Sequence, residues 1–560
     1  MKRQTVLLLI CLLFFGGLLL ATGLVSAKTT KNKFNRAGTI LVQGAPSHGA
    51  NGIMFDSNDQ LHIASVLGRE IIVMNPKHGK ILARLGTDVG VEGPDDLTFG
   101  PDGSLYWTSI ITGEVGRLQP DGTLTKQFVA PGVNPITFSD SGRLFVALDF
   151  LGDALYELDP NLVGSPSLLL SDLGFLNGMD FGPDGLLYGP IFTQGRIVQI
   201  NVDLDPPTVV TVADGFLVPA AVKFDSRGRL HVVDGASGEV VRVNLKNGRK
   251  RVLATLLPGL DNLAFDSRDR LFVSSFGDGF IAQVRRRRCP RIISKGGLIA
   301  PGGVAVLPGP RGRDSVFVAD FFSLREFDGR SGKARSVERH TFLPGQVTIP
   351  STVAADGGNL LITSWFDNAV QVWNPDGREI VEDYRDFNVP LNAIRFQGDL
   401  VVAELGLAPG LARVVRDTAG VRVTLADAAN GIVVPAGLAS SGDDLWVSDW
   451  AAGTVVRIVA PGTVELVAEG LAFPEGLAVD TDGNLLVVES GAKRLLRINV
   501  TTKEVDVLVE GLEIGGEAIP GTPPTKIFND VAVSSSGAIY VSGELINVLY
   551  RFKSKHRCRR

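Results

Sequence analysis

Asn177–Gly189 reads NGMDFGPDGLLYG, and this stretch decides the fold. A polar residue leads a short apolar run that closes on Phe181. Gly182-Pro183-Asp184-Gly185 then spells a tight turn, and a second apolar run follows. The unit therefore reads as strand, turn, strand. Working outward, the same pattern starts at Asn51 (NGIMFDSNDQLHIAS), Asp95 (DDLTFGPDGSLYWTS), Asn134 (NPITFSDSGRLFVAL), Ala220 (AAVKFDSRGRLHVVD) and Asp261 (DNLAFDSRDRLFVSS). Six less regular copies start at Gly302, Ser351, Asn392, Ala436, Glu475 and Asn529. The residues closing the first run lie mostly 39 to 44 residues apart, with longer steps before Ala355 and Val533.

A third strand usually follows, as in GRIVQINV and GEVVRVNL, and a fourth often closes the unit, as in TVELVAEG. No helical period crosses the repeats. Four short strands in ~40 residues is the spacing of a propeller blade. A stacked β-solenoid competes, but it would want capping ends. Rings commonly hold 4 to 8 blades, so twelve units predict an all-β chain of two tandem six-bladed β-propellers. A single twelve-bladed ring is the fallback.

Units six and twelve each lack a fourth strand, and two strands stand unassigned: Gly38–Gln43 and Arg291–Ser294. The expectation is that the first completes unit six and the second completes unit twelve, so that no sheet edge stays open. The domains then run 38–290 and 291–553, with the basic run RRRRCPR (285–291) as a solvated seam and a basic tail at 554–560.

Residues 6–25 are an uncharged apolar run after MKRQT, and Val25-Ser26-Ala27 is a small-residue cleavage pattern. A signal peptide and a membrane anchor both fit residues 1–27, and either places the rest outside the cytoplasm. Of the three cysteines, Cys289 and Cys558 could pair in an oxidising compartment. The net charge of −5, with signs mixed along the chain, gives no nucleic-acid surface. Asn499-Val500-Thr501 is a glycosylation pattern for a eukaryotic secretory host.

The second strand of each unit runs back, so its tail returns to the rim that holds the leading residue of the first. In the first ring that rim carries Asn51, Asp95, Asn134, Asn177, Ala220 and Asp261. Five of the six bear oxygen, which suits Ca²⁺ or another divalent cation. Strand capping and Asx-turns are the bland alternative. The turn residues Asp102, Ser141, Asp184 and Asp225 occupy the opposite end and read as structural. In the second ring the rim offers Gly302, Ser351, Asn392, Ala436, Glu475 and Asn529. Its second strands end near Asp320, Glu404, Asp449 and Glu489, with Trp365 and Trp450 expected to pack between blades. His62 and His231 are expected between blades too. His48, just before Asn51, is the histidine placed to act as a base.

These residues resemble the SMP-30 and gluconolactonase family, within a wider group of NHL-repeat and streptogramin-lyase-like propellers. The element Asn177-Gly178-Met179-Asp180-Phe181 is similar to that family's blade-four segment. The resemblance implies a divalent metal at the propeller mouth, with Asn134 and Asn177 as ligands and Asn51 at the position of the family's Glu. The family's blade-five Asp falls on Ala220, so Asp261 or Asp95 would stand in. The function so implied is an exported metal-dependent hydrolase of lactones or related esters. Asn51, Asp95, Asn134, Asn177 and Asp261 would hold the ion, with Asp261, Asp95 or His48 moving the proton. Alternatives are a C–O lyase using the same ion, and a non-catalytic extracytoplasmic propeller that binds a protein, glycan or small ligand.

Overall fold

Asp180–Phe181 and Leu187–Ile191 pair antiparallel, with Phe181 opposite Leu187. The turn between them is tied by Gly182 N donating to the Leu186 carbonyl (2.9 Å) and by Leu186 N donating to Asp184 Oδ1 (3.2 Å). Gly185 takes the left-handed conformation (φ 79°) that the turn requires. In other blades Asp56, Asp225, Asp266 and Asp480 stand at the position of Gly182 and tie the turn by accepting the amide four residues on. The glycine after Asn177 has a packing reason: a Cβ on Gly178 would sit 2.3 Å from the Cβ of Ala221 on the next blade.

The computed structural model describes residues 39–553 apart from 287, 310–312 and 526. The apolar segment 1–27, the tail 554–560 and Cys558 lie outside the described residues. Among the described residues no helix is long and apolar enough to cross a membrane.

The chain forms twelve four-stranded antiparallel sheets. Within a blade, the second strand is buried throughout, as in Leu144–Leu148 and Leu230–Asp234, while the fourth is largely exposed, as in Lys250–Thr255. Each innermost strand packs on its neighbours, and the sheets close into two circles. Ile53–Phe55 of blade one meets Leu260–Phe265 of blade six, and Val304–Leu307 of blade seven meets Val531–Val533 of blade twelve. The arrangement is two six-bladed propeller-like rings.

Aromatic side chains follow the closure of ring one. The residue closing each first strand packs on a ring in the second strand of the blade before it. The pairs are His62–Phe99, Tyr106–Phe138, Phe145–Phe181, Tyr188–Phe224 and His231–Phe265, at 5.0–5.3 Å between centroids. Phe55–Phe272, at 5.1 Å, closes the circle between blades one and six. His62 and His231 thus take places held by Phe or Tyr in other blades, between blades as expected. Such contacts contribute about 0.5–1.5 kcal/mol each beyond the area they bury.

The two closing strands are exchanged relative to the sequence expectation. Arg291–Ser294 pairs with Ile281–Val284 and completes blade six, whereas Thr39–Gln43 pairs with Val548–Lys553 and completes blade twelve. The reason is local. Arg291–Ser294 directly follows its partner, so a short hairpin closes blade six at small entropic cost. The basic run therefore lies in that hairpin, where the Arg285 guanidinium donates to the Cys289 carbonyl (3.0 and 2.8 Å). The chain crosses between rings at two adjacent places, 44–50 and 295–303. Ala45 N donates to the Leu298 carbonyl (2.8 Å), and the Asn547 amide donates to the Ala45 and Ser47 carbonyls (3.0 Å each).

Candidate functional site

Asn51, Asp95, Asn134, Asn177 and Asp261, with Ala220, line one cavity of about 340 Å³ at the mouth of ring one. His48 lines it as well. The sequence-predicted residues are therefore gathered in one place. His48 has its Nε2 2.6 Å from the Glu544 carbonyl, an acceptor contributed by blade twelve.

The amides are partly committed to the fold. Asn177 Oδ1 accepts from Gly178 N (2.7 Å) and lies 3.5 Å from the Asn134 amide nitrogen. That nitrogen also donates to Asp149 Oδ2 (3.1 Å), and Asn134 Oδ1 accepts from Thr108 (3.4 Å). Among the described residues no group of three or more His, Cys, Asp or Glu is arranged to hold a metal ion.

Asp149 is a lining residue that the leading-residue pattern missed. It lies just past the second strand of blade three, on the rim where strand tails return. Its register decides its role. Asp234, Glu404, Asp449 and Glu489 each end a second strand opposite a proline. From there each carboxylate accepts the amide of an incoming loop, as in Leu217 N to Asp234 (2.7 Å) and Val433 N to Asp449 (2.7 Å). In blade three that position is Leu148, and Asp149 comes one residue later. One residue of offset turns a side chain to the other face, and Asp149 lines the cavity instead of pinning a loop.

Three carboxyls thus share the mouth, and their ionisation is opposed. Burial first, and the neighbouring Asp96 second, push Asp95 up to about 7, while a hydrogen bond from Asn51 works the other way. Asp261 is held well above the ordinary carboxylate range by burial and by the charges of Asp95 and Asp96. Burial and the charge of Asp95 do the same to Asp149. Behind Asp95, Asp96 is built into the wall. It accepts Leu97 N (2.9 Å), the Asn262 amide (3.1 Å) and Ile136 N (3.3 Å).

The far wall comes from ring two. Phe321, Phe322, Phe342, Trp365 and Phe366 line the same cavity as the carboxyls, with Thr341, Ile349, Ile519 and Thr522. Trp365 therefore reaches a cavity, whereas Trp450 stacks on Phe473 (4.4 Å) as a packing residue. The longer steps before Ala355 and Val533 contain residues 341–349 and 519–522, so both insertions are spent on this wall. Across the seam Phe150 stacks on Phe366 (5.6 Å, 14°) and Phe276 meets Phe322 edge-on (4.9 Å). Arg69 bridges Glu92 (2.6 Å) and Glu517 (3.2 Å). Buried Arg325 of ring two bridges Asp278 of ring one (2.8 Å) and Asp320 (2.5 Å).

The mouth of ring two is different. Val389, Leu391, Leu405, Val434, Ala436 and Phe528 fill it as a buried apolar cluster. Glu475 is fully buried beside it, accepting Asn529 N (2.6 Å), and burial together with Glu544 pushes it up to about 8. Glu475 and Asn529 do not line the cavity.

No family model matches the chain, and no curated protein matches it. Among solved structures, it is similar to a catalytically inactive virginiamycin B lyase variant from Staphylococcus aureus with quinupristin: 16% identity, 51% of this chain, 96% of that one, TM-score 0.37. A candidate gluconolactonase matches at 13% identity over 47% of this chain and 95% of that one, TM-score 0.36. The extracellular domain of a candidate hybrid two-component system from B. thetaiotaomicron matches at 10% identity over 94% and 83%, TM-score 0.33.

Proposed function

We propose that the chain is an extracytoplasmic pair of tandem six-bladed β-propellers that binds a small molecule between its rings, without turning it over. One observation carries this reading: one cavity is walled by carboxyl and amide groups from ring one and by aromatic side chains from both rings. Its volume falls within the ~300–1,000 Å³ of small-molecule sites, and few polar groups in an apolar wall is the usual composition of such sites. The apolar segment before Ala27 supports export.

The test is titration of the full chain with phenylnaphthylamine, whose fluorescence rises in apolar cavities. Wild type should bind it saturably. Ile111→Trp, which fills the cavity from a half-buried lining position, should lose binding while melting as wild type does. Equal binding by both proteins would put the ligand elsewhere and overturn the reading.

A divalent cation at the mouth, serving hydrolysis of a lactone or ester or a C–O lyase reaction, is the second reading. It is favoured by Asp149 Oδ1, a buried oxygen with no hydrogen-bond partner. An ion there would have to draw Asp95, Asp149 and Asp261 together with the Asn51 and Asn134 amides, which are not grouped as a metal site among the described residues, and it would polarise a carbonyl. Metal content and melting temperature after chelator dialysis, with and without Ca²⁺, decide it. Neither stoichiometric metal nor a shift would remove this reading.

A further inference from the structure

The ionisable groups of the cavity wall are His48 and three carboxyls whose ionisation is opposed by burial and by one another. The carboxyls are those of Asp95, Asp149 and Asp261, and no Lys or Arg among the described residues lines the cavity. The buried ammonium of Lys223 is committed elsewhere, donating to the Met179 carbonyl (3.3 Å) and lying 4.0 Å from Asp180.

Asp149 carries the independent sign of a ligand. It is 8% exposed, its Oδ2 accepts from Asn134 (3.1 Å), and its Oδ1 lies buried with no partner in a carboxyl that lines the cavity. Leaving a buried acceptor open is costly. A donor arriving with a ligand would satisfy it.

The same cavity is lined by aromatic rings, and the negative face of such a ring attracts a cation. An anion would meet three carboxyls. A bare metal ion would face hydrocarbon on one side and, on the other, amide oxygens already hydrogen-bonded within the wall. An ammonium group on an apolar body matches both walls at once.

We propose that the cavity takes a small organic cation, a protonated amine seated on Asp149 with its apolar body against Phe150, Phe276, Phe322, Phe342, Trp365 and Phe366. This inference rests on the ligand-binding reading above and adds the ligand's charge to it.

The test uses three probes of one skeleton and different charge, titrated calorimetrically into the full chain at neutral pH: phenylbutylamine, phenylbutanol and phenylbutyrate. The amine should bind at least about tenfold more tightly than the alcohol, as a charge-assisted contact implies, and the carboxylate most weakly. Asp149→Asn, which keeps the shape, should weaken the amine by about tenfold and leave the alcohol within about twofold. Asp261→Asn serves as the second variant and should also weaken the amine selectively. Equal affinity of amine and alcohol, with phenylnaphthylamine still bound, would overturn the cation inference and leave the ligand cavity standing. Failure of all three probes and of phenylnaphthylamine would remove both.

Discussion

Replacing Asp95 by Asn should stabilise the protein, and by an amount that depends on pH. Burial and the adjacent Asp96 charge raise this carboxyl from 3.8 to about 7, which at ~1.4 kcal/mol per pKa unit is a penalty of about 4 kcal/mol once it ionises. Asp95 retains partial exposure toward the cavity, and water there screens the charge, so the figure is an upper bound. Between pH 4 and 7, roughly, the native chain keeps a proton that the unfolded chain has lost. Stability therefore falls as pH rises through that window and levels above it. Asn carries no proton to lose, and it also removes one of the charges that oppose ionisation of Asp261 and Asp149.

Wild type and Asp95→Asn should thus differ little at low pH and most on the alkaline side of neutrality. Urea melts near pH 5 and pH 8, followed by ring-one tryptophan Trp107, read the difference directly. In thermal melts each kcal/mol should appear as about 2–4 °C for a ring of this size. A variant no more stable than wild type near pH 8 would refute the reasoning. It would mean that the native protein compensates the Asp95 charge, as a resident cation would, and chelation before the melt would then bring out the variant's advantage.

Deleting Thr39–Gln43 should strip hydrogen-exchange protection from blade twelve and leave blades one to six unchanged, because that strand belongs to ring two alone; equal loss in both rings would contradict it. Arg325→Ala should destabilise by about 3–5 kcal/mol in urea melts, since it strands Asp320 and loosens Asp278 in a buried seam. Phe150→Ala and Phe366→Ala, combined in a double-mutant cycle, should couple by about 0.5–1.5 kcal/mol if the rings hold each other through that stack.

What the sequence reveals here follows what repeats. The strand-turn-strand period fixes the blades, and the rule that leading residues share a rim brings Asn51, Asp95, Asn134, Asn177 and Asp261 together. Asp149 needs the same rule applied to strand tails, with the one-residue offset noticed. Of the aromatic wall, Phe342 lies in a long insertion with no period to follow, whereas Phe321, Phe322, Trp365 and Phe366 lie just past second-strand tails, where the same tail rule is needed. The pairing of the two closing strands is not legible in the pattern, because completing a circle satisfies both assignments equally. Only the proximity of Arg291–Ser294 to Ile281–Val284 separates them, and that is an argument from loop entropy rather than from pattern.

That exchange bears on function. Ring one can close once residue 294 is in place, but ring two needs Thr39–Gln43 against Val548–Lys553, a pairing across roughly five hundred residues of chain. Crossing strands then run side by side at Ala45 and Leu298, directly beside His48 and Asn51 on one path and Gly302 on the other. The aromatic wall from ring two is held over the ring-one mouth by this seam and by Arg325, so the cavity exists only when both circles are closed. Whatever binds there draws its free energy from the closed pair, and closure is stabilised in return by mass action. Loss of Thr39–Gln43 should therefore weaken phenylnaphthylamine binding even though no residue of that strand lines the cavity. A ring-one fragment that bound the probe as well as the full chain would show the second ring to be dispensable, and the shared wall would then have no role in binding.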